Sequence, residues 1–563
     1  MKQKIFFFLL VAWSLPAFSA EPDKNAKHGT PFDLQGFIDQ EIAAGKQRIV
    51  VPPGCYRVTP KNRQHLVLQD LKDLTIVASG VEMVCTETTR ALTIQECVNV
   101  TVEGLIIDYD PLPFSQGRIT ALSADKKIHH IELFEGYPKA AAVRNFKYEI
   151  FRPDTRTLRG GDHYPQKIEV VDERRIRVIN SSCTAEHSEQ VGDLIVIGTE
   201  YAPHGRIPHA VYCANNRNVR LEKVTLYASN CFGFFEHSCD GSTYYQCRVA
   251  RRPAKEDPVT RGDPRLRSLD ADAYHSKHAL QGPAYLECTA RFMGDDCINI
   301  CGDYHLVMTT QGSKLRVLAK RVMNIQKGDP VELVSYLGER LPNATVVAIE
   351  RDAQKVTDAE RKFLAKQRMN ERLRTAQGAL NHAYTITLDR EVAMPQGSLI
   401  CSLKRIGNGF AVKNCTFGFN RSRGILIKAS EGEVSGNRVE SSRMSAILVA
   451  PEYWWLEAGS SNNLRIVDNT IIHCGGIAIC VEAKAGNGKI APVGAHQNIV
   501  IANNTIKGSP QPGILVTSTR GLQLQGNKLE LNTVQLPVPG RLRQAGVEAM
   551  KPVIQVNCDD VKE

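Results

Sequence analysis

Residues 414–449 read NCTFGFNRSRGILIKASEGEVSGNRVESSRMSAILV and contain one short pattern twice. Asn414-Cys415-Thr416-Phe417 is followed about ten residues later by Gly424-Ile425-Leu426-Ile427. Gly436-Asn437-Arg438-Val439 is followed in the same way by Ala446-Ile447-Leu448-Val449. Each copy therefore offers two short β-rich segments joined by polar turns, and the copies are 22 residues apart.

The first of these segments recurs along the chain. Its second residue falls at positions 224, 247, 288, 415, 437, 469, 504 and 527, which gives a base period of 22 to 23 residues interrupted by insertions. The second segment recurs at Gly476-Ile477-Ala478-Ile479 and Gly513-Ile514-Leu515-Val516. Leucine-rich repeats share this period but need a Leu-x-x-Leu-x-Leu frame, which is absent here. We therefore predict an all-β chain that folds as a right-handed parallel β-helix, a solenoid.

The repeat also predicts the state of the cysteines. Sixteen cysteines in an exported chain ordinarily suggest disulfides, but this chain of 563 residues is large enough to need none. Cys247, Cys288 and Cys415 occupy a repeat position that asparagine fills elsewhere. We expect these cysteines to be reduced and interior, and the asparagines to hydrogen-bond to one another along the stack.

Two gaps in the repeat are too long to be structureless loops. We expect them to be inserted small β-barrels at residues 110–202 and 304–403, and in the second we expect a charged helix or helical hairpin between Asp352 and Gln377. The remaining divisions are a signal peptide at 1–20 and three stretches of β-helix at 21–109, 203–303 and 404–563, the last including the C-terminal end.

The start of the chain resembles a secretory signal peptide. Lys2 and Lys4 precede the apolar run 5–13, and Ala17-Phe18-Ser19-Ala20 has the small residues of a cleavage site. We expect export to the periplasm or the extracellular space, with no transmembrane segment. The formal charge of +10 is spread along the chain, so we expect no nucleic-acid partner.

Carboxylates interrupt the repeat at one place only. Asp272 lies in Leu269-Asp270-Ala271-Asp272-Ala273-Tyr274-His275, and Asp295 and Asp296 follow it by 23 and 24 residues. One coil period brings these acids side by side at the strand spacing of about 4.8 Å. Crowded acids require a held proton, a cation or a basic neighbour. A protonated and an ionised carboxyl together form the pair that glycoside hydrolysis uses. The alternative is an acidic turn paired with surface lysines.

Other residues on the same face are candidates for binding a sugar. His275 can orient a hydroxyl, although a lone strand histidine is more often structural. Arg423 and Lys428 lie on the next coil after the second insertion. Trp454 and Trp455 lie in a loop that leaves the ladder, where aromatic rings offer apolar faces to a pyranose; packing under the loop is the alternative.

At this point the sequence resembles glycoside hydrolase family 110, the bacterial exo-acting α-1,3-galactosidases. The resemblance rests on the Asp-Ala-Asp-Ala-Tyr-His run at 270–275, the Gly-Asp-Asp-Cys-Ile-Asn-Ile-Cys-Gly run at 294–302, the loop 455–459 and the two insertions. It extends over nearly the whole mature chain. It implies an inverting hydrolase that removes terminal α-1,3-linked galactose from blood group B or linear α-galactosyl glycans.

The resemblance also implies site residues. It places catalysis on Asp272, Asp295 and Asp296, and we assign Asp295 as the general acid and the other two as the group that activates water. The residues that we assign to substrate binding are Asp270, His275, Arg423, Trp455 and Glu457. We expect no metal ligand and no cofactor. Inversion needs room for water, so we expect Asp295 to lie at least about 6 Å from one of the other two aspartates.

Three other functions remain open from the residues. Polygalacturonases also have a Gly-Asp-Asp motif on a β-helix, but their Gly-His-Gly motif is missing here. Calcium-dependent pectate lyases hold calcium with clustered aspartates and use an arginine base. A glycan-binding β-helix without catalysis is the third. Free galactose as the product supports the hydrolase, an unsaturated product supports the lyase, and binding without turnover supports the third.

Overall fold

The structure, a computed structural model, describes residues 28–199, 209–260, 262–375 and 378–563. The predicted signal peptide at 1–20 lies outside this part of the chain. Within it, three twelve-stranded sheets run along an all-β parallel β-helix. Each coil contributes one strand to each sheet, so the helical rise of the solenoid is the spacing between hydrogen-bonded strands.

The strands are short, mostly three to six residues. Sheet 1 contains Thr30–Pro31, Gly54–Val58, Val81–Cys85, Ile106–Tyr109, Thr225–Leu226, Arg248–Val249, Thr289–Arg291, Thr416–Gly418, Arg438–Glu440, Thr470–Ile472, Thr505–Lys507 and Lys528–Glu530. Sheet 2 contains Arg48–Val50, Lys72–Val77, Val98–Glu103, Arg220–Glu222, Thr243–Tyr245, Ala284–Leu286, Ala411–Lys413, Glu433–Ser435, Asn462–Val467, His496–Ala502, Thr519–Gln525 and Asp559–Lys562. Sheet 3 contains Gln64–Gln69, Arg90–Gln95, Val211–Ala214, Phe234–His237, Tyr274–Lys277, Ile298–Asp303, Ile425–Ile427, Ile447–Val449, Ile479–Val481, Ile514–Thr517 and Val553–Val556, with Glu457–Ala458 paired antiparallel at one strand.

The predicted stacking of the second repeat segment is confirmed. Ile425 pairs with Ile447, Ile447 with Ile479 and Ile479 with Ile514, all in parallel register in sheet 3. One detail of the prediction is wrong, because this register aligns Ala446 with Ala478 rather than with Gly476. The strand therefore starts two residues later than predicted, while the residues that join sheet 1 to sheet 3 are equal in number in these coils.

The turn position of the repeat explains its asparagines and cysteines. Asn437, Asn469, Asn504 and Asn527 form a column in which each side-chain amide donates to the next side-chain oxygen at 2.9 Å. The residue before this coil position has a positive φ in most coils, as at Asn414, which precedes Cys415 and has φ 55°. The chain therefore turns inward there. All sixteen cysteines lie in the described ranges and are free thiols. Cys247, Cys288 and Cys415 are buried, as predicted.

The first interruption of the coils is an antiparallel sheet of eight strands. These are Phe114–Leu122, His129–Leu133, Val143–Phe151, His163–Tyr164, Lys167–Val170, Arg175–Ile179, Ser182–Cys183 and Leu194–Thr199. Its own apolar core includes Ile131, Ile150 and Ile195. The sheet is open in the described residues, because its end strands Lys167–Val170 and Ser182–Cys183 do not pair. The prediction of a closed barrel is therefore wrong for this segment, which we call the inserted sheet.

The second interruption is a closed six-stranded barrel. Its strands are His305–Gln311, Lys314–Ala319, Pro330–Val334, Arg340–Arg351, His382–Leu388 and Ser398–Ser402. The charged segment on this barrel forms two short helices, Asp358–Ala365 and Glu371–Arg374. Thr357 and Glu360 make a reciprocal capping box at the start of the first, which satisfies two backbone N–H groups.

Four further helical segments of the described ranges lie outside the barrel. They are the α-helix Leu34–Ala43, the α-helix Gly540–Gln544 and the 3₁₀ turn Ala254–Glu256; the inserted sheet adds the 3₁₀ turn Ala140–Ala142. Leu34 and Ile38 of the first α-helix are buried in the main core, so this helix covers the N-terminal end of the solenoid. In the described ranges no helix is both long and apolar enough to cross a membrane.

Candidate active site

The candidate site lies at the turn that leads into sheet 3. Counting back two residues from the paired strand starts places Asp272, Asp296 and Arg423 in one column on consecutive coils. Side chains that stack at one coil position in the interior of a solenoid are normally apolar. Here the column stacks two acids and a guanidinium, an arrangement that core packing does not explain.

The three predicted catalytic aspartates come together. Asp272, Asp295 and Asp296 each offer a carboxylate oxygen, and these oxygens all lie within 4.8 Å of one another. The side chains of Asp272 and Asp296 are 6% and 1% exposed, whereas that of Asp295 is 30% exposed. The expected separation of at least about 6 Å is wrong for these oxygens. The bend at Asp295 brings the carboxylates of Asp295 and Asp296 together with that of Asp272 instead of separating them.

Two arginines approach the cluster. The Arg421 guanidinium lies 2.8 Å from Asp295 Oδ2. Arg423 donates twice to Asp296, from its backbone N–H to Oδ1 at 2.8 Å and from its guanidinium to Oδ2 at 2.7 Å. These arginines provide the positive charge that crowded carboxylates need. They disfavour a calcium site, since a cation would have to compete with both.

The environment pushes the acidities of the three aspartates apart. Burial, with the nearby charge of Asp295, raises the pKa of Asp272 to about 8. Burial raises the pKa of Asp296 to about 7, although Arg423 opposes the shift. Burial also disfavours ionised Asp295, but Arg421, Lys147 and Arg423 outweigh it and hold the pKa of Asp295 below its ordinary value. Near neutral pH the cluster therefore holds a proton on the buried pair and a negative charge on Asp295.

This charge distribution bears on the assigned roles. Asp295 is the predicted general acid, but its lowered pKa favours the ionised form. The cause is Arg421, which contacts Asp295 and which is itself held by Asp162 at 2.7 Å. The directions of the pKa shifts favour Asp272 or Asp296 over Asp295 as the proton donor, and the assignment of the general acid stays a prediction.

His275 lies directly on the cluster. Its Nδ1 is 2.7 Å from Asp272 Oδ2, and its ring stacks on Phe232 at a centroid distance of 4.5 Å. Burial lowers the pKa of His275 to about 3, so the imidazole is neutral. A neutral imidazole still carries one N–H, and His275 Nδ1–H can donate to Oδ2 of Asp272, which fixes the orientation of that carboxyl. His275 is thus placed to position Asp272.

Asp270 has a different environment from the one predicted. It is 5% exposed, and its carboxylate contacts the Arg267 guanidinium at 2.9 Å. Lys147 of the inserted sheet donates to the Asp270 carbonyl at 2.8 Å and to the Gly294 carbonyl at 2.9 Å. The structure therefore uses Asp270 to join the inserted sheet to the coils. Contact of its carboxylate with a substrate is not supported.

The loop predicted to contact substrate folds back onto the site. Its strand Glu457–Ala458 pairs antiparallel with Ile298–Asp303. Glu457 lies 2.8 Å from the Lys428 ammonium and within 4.8 Å of a ligand atom of His275. Lys428, completely buried, lowers the pKa of Glu457 against the effect of burial. Glu457 therefore enters the site as a carboxylate.

The two tryptophans of this loop are exposed. Trp454 is 52% and Trp455 36% accessible to solvent, so packing under the loop does not account for their side chains. Arg423 lies at the base of the same loop, 3.9 Å from Glu452. The loop therefore exposes two aromatic side chains and also carries Glu452, which approaches Arg423.

Sequence reasoning missed several residues that shape the site. Arg421, Lys147 and Asp162 hold or neutralise the aspartates. Arg421 offered a signal, because it lies two residues before Arg423 at the coil position of Gly294. Lys147 and Asp162 offered none, since they come from the inserted sheet and no repeat relates them to the coils.

Comparison with known proteins gives matches over most of the chain. A family model described as a right-handed β-helix region matches residues 380–533. An α-1,3-galactosidase A from Bacteroides fragilis is 23% identical over 88% of this chain and 84% of its own length. An α-1,3-galactosidase B from Bacteroides thetaiotaomicron is 23% identical over 97% of this chain and 90% of its own length.

Solved structures are more distantly similar. The catalytic domain of a GH87 α-1,3-glucanase in complex with nigerose is 9% identical over 96% of this chain and 70% of that chain, with a TM-score of 0.38. The A-module of a mannuronan C-5 epimerase from Azotobacter vinelandii is 11% identical over 90% of this chain and 93% of that chain, with a TM-score of 0.35. These values are too low to indicate a shared chemistry.

Proposed function

We propose that this protein is an exo-acting glycoside hydrolase that removes terminal α-1,3-linked galactose, as a member of glycoside hydrolase family 110. One observation carries the hydrolase chemistry: three aspartates share a site in which two have raised pKa values and one is ionised. An acid and a base with separated pKa values are what glycosidic bond cleavage needs. The galactose specificity is supported by the two relatives named α-1,3-galactosidase.

The proposed mechanism divides the cluster according to its charges. Asp272, oriented by His275, donates the proton to the leaving oxygen, and ionised Asp295 acts as base toward a water, with Asp296 beside it. Two hydrogen bonds of about 2.8 Å to one water span about 4.6 Å between acceptor oxygens, so a spacing within 4.8 Å fits a water held by two carboxylates. The proposal of inversion rests on the resemblance to family 110, because the acids lie closer together than is usual for inverting enzymes.

The site residues around the cluster are proposed to bind the sugar. Trp455 offers its exposed face to the apolar side of the pyranose, and Glu457 accepts hydrogen bonds from its hydroxyls. Arg423 lies where it can contact a hydroxyl while it holds Asp296. The substrates proposed are blood group B type glycans and linear α-1,3-galactosides.

The decisive test follows the product over time. Incubation with branched B antigen or with α-1,3-galactobiose is expected to release free galactose, and proton NMR of the earliest product is expected to show β-galactose. Heat-denatured protein is the control, and α-1,4-linked galacturonan tests the polygalacturonase alternative. No galactose from either substrate contradicts the proposed activity. α-Galactose as the first product contradicts inversion alone.

A second prediction concerns pH. Since the pKa values of Asp272 and Asp296 are raised to about 8 and about 7, kcat/KM is expected to fall as the pH rises through this range and the proton is lost. Asp295 stays ionised below its ordinary value of 3.8, so the acidic decline is expected only under strongly acidic conditions. The raised pKa values also contribute to the free energy of unfolding, and this contribution is fully present at pH values below the ordinary pKa of a carboxyl group. It is lost as the pH rises through the raised values of about 7 and about 8.

The profile is measured as kcat/KM for galactose release between pH 3 and 10, on the order of half-unit steps, with circular dichroism at each pH as the control for unfolding. Activity that still increases above about pH 9 would contradict a carboxyl group as the proton donor.

A further inference from the structure

A second cluster of potential ligand groups lies in the inserted sheet, outside the aspartate site. His163, His187 and Glu189 each offer one ligand atom, and these atoms lie within 4.8 Å of one another. His163 is on a strand paired with Cys183, and the other two are in the loop 184–193 that follows. His163 and Glu189 are each 1% exposed, whereas the side chain of His187 is 24% exposed. The cluster is thus buried with one side open to solvent.

Two polar atoms of the cluster have no hydrogen-bond partner among the described residues. They are His163 Nδ1 and Glu189 Oε2. A buried polar atom without a partner gives up the hydrogen bond that it makes to water in the unfolded chain, and here two such atoms belong to one cluster. The other oxygen, Glu189 Oε1, is satisfied by His187 Nδ1 at 2.5 Å and lies 3.2 Å from His129 Nε2. The unpartnered atoms therefore call for a ligand that accepts electron pairs.

We propose that His163, His187 and Glu189 bind a divalent transition metal ion, zinc by the chemistry of the donors. Two imidazoles and a carboxylate are zinc ligands, whereas calcium and magnesium prefer oxygen ligands alone. Histidine ligands of metals commonly donate their second ring N–H to a carboxylate. The contact from His187 Nδ1 to Glu189 has this form. Access of water from the open side completes the coordination.

The position of the cluster gives the ion a structural role. Asp162 directly precedes His163, and its backbone N–H donates to Thr184 Oγ1 at 2.8 Å. The Asp162 carboxylate contacts Arg421 at 2.7 Å and Arg443 at 3.0 Å, and Arg421 in turn holds Asp295. An ion that joins His163 to the loop 184–193 therefore secures the segment that positions Arg421. This role rests on the proposed function, whereas metal binding itself does not.

The test uses the full chain, stripped of metal with a chelator, dialysed and titrated with zinc chloride. We expect about one zinc ion per chain after gel filtration and a higher melting temperature with zinc than without. His187→Ala is expected to weaken zinc binding at least about tenfold. His130→Ala removes an exposed histidine from the strand His129–Leu133 of the same sheet and is expected to bind zinc like the unmodified protein.

Two results would overturn the site: substoichiometric zinc in the unmodified protein, or equal zinc affinity in the protein and in His187→Ala. His163→Ala repeats the test at a buried ligand. The His187 variant keeps the test valid if the His163 variant does not fold, because His187 is partly exposed. Zinc binding without galactose release leaves the metal site standing and contradicts the proposed activity, and the reverse result contradicts the metal site alone.

Discussion

Asp272→Asn, Asp295→Asn and Asp296→Asn are each expected to lower the rate of galactose release by about 10²- to 10⁴-fold. Asparagine keeps the shape of the side chain but can neither donate a carboxyl proton nor act as a base. The oxygens of the three residues lie within 4.8 Å of one another, so each substitution acts on the same reacting centre. The measurement is kcat/KM on α-1,3-galactobiose, with melting temperature as the check on folding.

Asp468→Asn is the matched control, because Asp468 is exposed at a turn of the same solenoid with φ 57°. It is expected to leave both activity and stability unchanged. Near-normal turnover in any of the three site variants would remove that residue from the mechanism.

The same variants distinguish the acid from the base. An aryl galactoside with a good leaving group needs little protonation, so it is expected to restore activity to the variant that lacks the general acid. The charges in the resting protein predict that this variant is Asp272→Asn. Recovery of Asp295→Asn alone would show instead that Asp295 donates the proton.

The second large effect is expected at Arg265, whose side chain is completely buried. Its guanidinium contacts both oxygens of Asp108 at 2.8 Å and Asp257 at 2.7 Å. Arg265→Met leaves buried carboxylates without this partner, and breaking a buried pair in this way costs about 3–5 kcal/mol. We expect the midpoint of urea unfolding to fall accordingly.

Arg248→Met is the matched control, since Arg248 is exposed on the strand Arg248–Val249 of sheet 1, the sheet that also contains Asp108. Its expected effect is within about 0.5 kcal/mol. If Arg265→Met unfolds at the same urea concentration as Arg248→Met, the Asp108 network does not stabilise the fold.

The repetitive part of the fold could be predicted from the sequence because one coil position recurs. Asparagine at 437, 469, 504 and 527 marks a turn that must be satisfied in every coil, and the side chains do bond along the stack. The same period placed Asp272 beside Asp296. The insertions carry no such repeat, and only their positions could be predicted, from the gaps. The sequence did not indicate that the second insertion closes into a barrel while the first stays an open sheet.

The protonation of the site could not be predicted for a related reason. The pKa of Asp295 depends on Arg421 and Lys147, and Lys147 is nearly 150 residues from Asp295 in a segment with no periodic relation to the coils. The expected spacing of the acids was wrong because it was taken from the room that inversion needs for water, whereas the bend at Asp295 leaves the three carboxylates within 4.8 Å of one another.

The contacts of Asp162 also constrain how the chain becomes functional during synthesis. Asp162 meets Arg421 and Arg443 across 259 and 281 residues of sequence, with the six-stranded barrel encoded between them. The N-terminal coils and the inserted sheet emerge from the ribosome first, and domains generally fold in that order. Arg421, which contacts Asp295, is translated only after the barrel. Nascent chains that stop before residue 421 are therefore expected to stack coils yet remain inactive, so that catalytic competence requires the first coil beyond the barrel.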